Sequence, residues 1–167
     1  MKKGNIILIG MPGSGKTTIG TELSEKIGYG YIDSDSVIVA REGMRLPQII
    51  EAKGREGFLD IEAKVNSELC ADRCVIATGG SVIYRASAME KLKTLGTIVY
   101  LKLSFETIER RLGDLKARGV ALKDGFTLKD LYEERTPLYE KYADIAVELD
   151  GKTVIESVEA IAKAVQK

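Results

Sequence analysis

Residues 10–17 read Gly-Met-Pro-Gly-Ser-Gly-Lys-Thr, which satisfies G-x-x-x-x-G-K-[ST]. The segment directly follows a short apolar run, residues 5–9, and opens a stretch, 16–27, with apolar residues at helical spacing. That context restricts the start of the chain to strand, phosphate-binding loop and helix. Gly10, Gly13 and Gly15 permit the backbone turns that aim successive N–H groups at an anion, and the helix adds its positive end. Lys16 can reach the β- and γ-phosphates of a nucleotide, and the Thr17 hydroxyl is placed for Mg²⁺. Ser14 and Thr18 complete this nucleotide-binding run. A nucleoside triphosphate with Mg²⁺ is therefore the expected ligand. The chain has neither an N-K-x-D segment for guanine nor a D-x-x-G switch, which removes most support for a GTPase.

The strand–helix alternation recurs. Residues 29–33, 74–78, 97–103 and 144–148 read as further strands separated by helical stretches, so a parallel sheet covered on both faces is expected. Ser104 and Thr127 are placed as helix N-caps. Between those helices, residues 113–126 carry three glycines and no sustained apolar period, as expected of a mobile lid. The 167 residues suit one domain, 1–167. With 25 basic and 25 acidic side chains there is no net field to attract nucleic acid or an anionic membrane. The five apolar residues before Gly10 are too few for a signal peptide or a membrane span, so a cytoplasmic location is expected; a monomer is the expected state. The absence of histidine excludes imidazole catalysis, and Cys70 and Cys74 lack the partners of a zinc site. Chemistry is left to Lys, Arg, Asp, Glu and backbone N–H groups.

The second predicted strand ends in Asp33-Ser34-Asp35, at the carboxyl edge of the sheet beside the phosphate loop. Two carboxylates there could hold Mg²⁺ through water and accept a proton from an attacking hydroxyl, or simply cap a helix. Further along are Glu56-Gly57-Phe58 followed by Glu62, Thr78-Gly79-Gly80 after a strand, Arg118 in the lid segment, and Arg135-Thr136-Pro137-Leu138-Tyr139. In this order and spacing the residues resemble the shikimate kinase family, from Asn5 to about Thr153.

The resemblance implies a three-layer α/β P-loop kinase fold with a five-stranded parallel sheet, an acceptor-binding segment near 34–62 and a lid near 113–126. It also implies ATP-dependent phosphorylation of a small hydroxylated carboxylic acid, most simply shikimate to shikimate 3-phosphate in aromatic amino acid biosynthesis. On the same warrant Thr17 and Asp33 serve Mg²⁺, and Asp35 binds the acceptor hydroxyl as base. Gly79 and Gly80 present backbone groups, Arg118 neutralises the transferring phosphoryl, and Arg111 lies against adenine, with Arg110 an equally near neighbour. Arg135 pairs with the acceptor carboxylate.

Three positions depart from the family pattern. Leu59 stands where an arginine normally meets the acceptor carboxylate, Ser81 replaces a third glycine, and the lid reads Arg118-Gly119-Val120-Ala121 in place of Arg-Pro-Leu-Leu. Losing a bidentate arginine would cost on the order of 1.5–3 kcal/mol, roughly ten- to a hundredfold in affinity. Arg55, one turn earlier, is a candidate substitute, and restoring arginine at 59 is expected to raise affinity for shikimate. The altered lid is expected to be more flexible and less apolar. These changes keep open a kinase of another small hydroxylated acid, such as a sugar acid or homoserine. A non-catalytic nucleotide-binding module is the third reading.

Overall fold

A computed structural model describes residues 4–112 and 119–167. Strand β1 (Asn5–Ile9) is buried along its whole length, which an uninterrupted apolar run allows only in the middle of a covered parallel sheet. The five strands β1, β2 (Gly30–Asp33), β3 (Cys74–Ala77), β4 (Gly96–Lys102) and β5 (Ile145–Glu148) are all parallel and lie in the order β2-β3-β1-β4-β5. Chain order reverses beside β1, so the loop leaving that strand opens at the topological switch point, where open α/β sheets bind ligands.

Seven helices surround the sheet: α1 (Lys16–Ile27), α2 (Ser34–Glu42), α3 (Leu46–Glu68), α4 (Ala86–Leu95), α5 (Phe105–Arg111), α6 (Leu128–Tyr142) and α7 (Val154–Val165), among the described residues. Helices α1 and α7 pack together on one face, and α3 and α4 on the other. The expected strands are present with ends shifted by a residue. Thus β2 starts at Gly30 because the Tyr29 N–H closes the end of α1 on the Ser24 carbonyl. Ser104 and Thr127 cap α5 and α6, their hydroxyls accepting from the N–H groups of Thr107 and Asp130.

Two apolar clusters result. The larger surrounds the sheet; the smaller joins Ile38, Ile49, Phe58, Leu59, Val65 and Ala121 beneath α2 and α3. Helix α3 is broken at Gly54, whose φ of 71° lies in the left-handed region, so its two halves point their side chains independently. Arg118 and residues 113–117 of the expected lid lie outside the described residues. In the part that follows, Val120 and Ala121 are buried rather than loosely exposed, with Ala121 in the smaller cluster. The reduced apolar content expected there is therefore offset by close packing of small residues.

Candidate active site

At the carboxyl ends of β1, β2 and β3 is a cavity of about 370 Å³. Its walls come from the phosphate loop, the start of α2, both halves of α3, the turn after β3, residues 119–121 and α6. The loop is shaped by Gly13 (φ 78°) and Gly15 (φ 92°), conformations that other residues adopt only with strain. Lys16 folds back over it, donating to the carbonyls of Gly10 and Met11 at 2.8 Å each and to Ser14 Oγ at 3.3 Å. Burial lowers the Lys16 ammonium to a pKa of about 8, against the opposing pull of Asp35. A bound polyphosphate would oppose that lowering and hold the ammonium charged. Thr17 and Thr18 are exposed along the same wall.

The helix-capping reading of the Asp-Ser-Asp segment holds for Asp33. Its Oδ1 caps α2, accepting from the N–H of Asp35 at 3.0 Å and of Ser36 at 3.3 Å, while the residue also lines the cavity. Asp35, in the first turn, has Oδ1 buried without a hydrogen-bond partner. Burial and the neighbouring Asp33 raise its carboxyl to about 6, with Lys16 pulling the other way. Gly79 lies against this group, since a Cβ there would meet Asp35 Oδ1 at 2.7 Å and Glu62 Oε2 closer still. Gly80 joins the two sides of the cleft: a Cβ would stand 2.8 Å from Arg135 Nη1 and 3.0 Å from Pro12 Cδ.

Arg135 is 1% exposed, yet it lines the cavity. Its Nη2 donates to the Ala121 carbonyl at 3.2 Å, its Nε to the Tyr84 hydroxyl at 3.3 Å, and its guanidinium lies 5.2 Å from the Tyr84 ring centroid. Its Nη1 lies on the Gly80 side of the cleft. The Tyr139 hydroxyl donates to the Gly80 carbonyl at 2.6 Å and fixes the same turn.

Arg111 stands on the opposite side of the phosphate loop, donating to the Gly13 carbonyl at 3.2 Å and lining a smaller cavity with Ser14, Leu149 and Lys152. Arg110 is turned to Thr107 Oγ1 instead.

Leu59 departs from its expected place. It is 1% exposed within the smaller apolar cluster and does not line the cavity, because this face of α3 packs under α2. Arg55 also misses the cavity wall. Its guanidinium lies 4.9 Å from the Tyr84 ring centroid and donates to Glu56. Arg135 is thus the one guanidinium lining the cavity among the described residues. Glu62 lines the cavity and Tyr84 braces Arg135 from behind it, and neither carried an expected role. A buried acid near a Gly-Phe pair is a usable sequence signal for Glu62. Nothing in sequence spacing marks Tyr84.

A phosphate-binding loop, a carboxylate beside it and a buried arginine around one cleft of a parallel α/β sheet define a P-loop kinase of small molecules. Comparison with known proteins narrows the class. A family model described as "Shikimate kinase" matches residues 12–166. The chain is 38% identical over 161 residues to a shikimate kinase of Francisella tularensis subsp. holarctica, covering 94% of this chain and 92% of that one. Among solved structures, a shikimate kinase from Acinetobacter baumannii in complex with shikimate superposes with a TM-score of 0.85 at 31% identity, covering 98% of this chain and 93% of that one. The Aquifex aeolicus shikimate kinase gives a TM-score of 0.81 at 34% identity, covering 97% and 96%. The chain belongs to the shikimate kinase family, and is an ATP-dependent phosphotransferase acting on a hydroxyl group.

Proposed function

We propose that this protein transfers the γ-phosphoryl group of ATP to the 3-hydroxyl of shikimate. The observation that carries the reading is the single cavity shared by Lys16, the unpartnered Asp35 carboxylate and Arg135. Phosphoryl transfer needs positioning and positive charge more than covalent participation by the protein. In this reading Lys16 and the N–H groups of residues 13–18 hold the phosphates, and Arg111 flanks the base. Arg135 pairs with the acceptor carboxylate, while Asp35 orients the attacking hydroxyl and accepts its proton. Arg118 supplies further positive charge from the lid. Thr17 and Asp33 offer the hard oxygen donors that suit Mg²⁺, which when bound neutralises phosphate charge. The chain works as a cytoplasmic monomer in the same proposal. No helix among the described residues is long and apolar enough to cross a membrane.

ADP release measured with ATP, Mg²⁺ and shikimate tests the reading. Shikimate-dependent turnover is expected, with Asp35→Asn lowering it by about two orders of magnitude, as for loss of a general base. Turnover at the acceptor-free background would overturn it. A second reading, another small hydroxylated acid as acceptor, draws on Arg135 being the one guanidinium in the described wall. A panel including gluconate and homoserine distinguishes the two by kcat/KM.

A further inference from the structure

The turn after β3 brings Ser81 against α3, where its hydroxyl donates to Glu62 Oε1 at 2.6 Å. Both residues are buried, at 5% and 1% exposure, and both line the acceptor side of the cavity. The other carboxylate oxygen, Glu62 Oε2, is buried with no hydrogen-bond partner, as is Asp35 Oδ1, and both would crowd a Cβ placed on Gly79.

We propose that Ser81 is a positioning residue for the acceptor: its hydroxyl fixes Glu62 so that the free carboxylate oxygen faces the cavity beside Asp35 and receives an acceptor hydroxyl. The proposal rests on the shikimate reading and deepens it.

Once both groups are ionised, two neighbouring carboxylate oxygens without donors call for donors from outside, because a buried acceptor left unpaired is costly. An acceptor bearing neighbouring hydroxyls supplies one O–H to each. A carboxylate placed there would be repelled, which orients the acceptor with its own carboxylate toward Arg135. The charged groups facing Glu62 are Asp35 of α2, Lys16 of the phosphate loop and Arg135 of α6. Without the Ser81 hydroxyl, the Glu62 side chain is free to turn toward Arg135 and occupy the guanidinium edge that the acceptor needs. Ser81 therefore keeps the hydroxyl-binding and carboxylate-binding ends of the site apart.

Steady-state kinetics of Ser81→Ala, Glu62→Gln and the double variant test this, with shikimate, 4-deoxyshikimate and 5-deoxyshikimate as acceptors. Ser81→Gly serves as a second variant should alanine pack badly. In Glu62→Gln the amide carbonyl can still accept from Ser81, which turns an N–H donor toward the cavity where an acceptor stood. Each single variant is expected to raise the KM for shikimate about tenfold while leaving the KM for ATP unchanged. The double variant should be no worse than Glu62→Gln alone, and one of the deoxy acceptors should be indifferent to both substitutions. A shikimate KM within twofold of wild type in Ser81→Ala and Ser81→Gly would overturn the proposal. So would effects that multiply in the double variant, or an equal rise in the KM for ATP. Absence of shikimate turnover in the wild type would instead overturn the acceptor reading, and this inference with it.

Discussion

Replacing Leu59 by arginine distinguishes a side chain that meets the acceptor from one that belongs to the apolar layer. Leu59 packs with Ile38, Ile49, Phe58, Val65 and Ala121 at 1% exposure. Removing such a leucine forfeits about 1.5–3 kcal/mol of burial. A guanidinium lodged in the same layer adds several kcal/mol unless it bends out to water, so a net loss of at least about 3 kcal/mol is expected. For a chain of this length that lowers Tm by roughly 6–12 °C. Calorimetric melting paired with shikimate kinetics provides the assay. The variant should melt early and show no improvement in the KM for shikimate, contrary to the gain that family resemblance suggests. A Leu59→Arg protein that melts within about 2 °C of wild type and has a shikimate KM roughly tenfold lower would refute this placement.

Other consequences can be measured on the same preparations. Burial raises the Glu62 carboxyl from 4.5 to about 7, with Ser81 opposing and Asp35 reinforcing the rise. The folded state therefore holds this proton more tightly than the unfolded chain. The stability it confers is fully present below pH 4.5 and lost as pH rises through about 7. Between pH 4.5 and 8 the stability of Glu62→Gln relative to wild type should rise by about 3 kcal/mol, read from urea melts; a pH-independent difference would show that the carboxyl is not desolvated. Arg135→Lys should raise the shikimate KM ten- to a hundredfold with little change in the KM for ATP, because a point charge replaces a planar fork. Gly79→Ala introduces a methyl that crowds both Asp35 and Glu62 and should lower acceptor-dependent kcat/KM at least about tenfold, with nucleotide binding, followed by fluorescent ATP titration, retained.

The donor half of the site was legible in sequence because its chemistry is local. The residues that cradle phosphate are contiguous, and the strand before them and the helix after them follow from simple periodicity. Helix caps such as Ser104 and Thr127 were legible for the same reason, each acting on N–H groups three residues away. The acceptor half is assembled from separate elements. Gly54 breaks α3, so the direction of Leu59 and Arg55 does not follow from the pattern upstream of the break. The contact between Ser81 and Glu62, and the seating of Arg135 against Tyr84, join segments far apart in the chain with no shared period. The choice between Arg110 and Arg111 likewise depended on how a single turn of α5 faces the phosphate loop.

The most direct test of the central claim is the identity of the product, followed by ³¹P NMR in a mixture of the protein, ATP, Mg²⁺ and shikimate. A new phosphomonoester resonance, split by the proton on carbon 3 of shikimate and growing in step with ADP, is the predicted result. Conversion of ATP to ADP and inorganic phosphate alone, or no change at millimolar shikimate, would contradict the account.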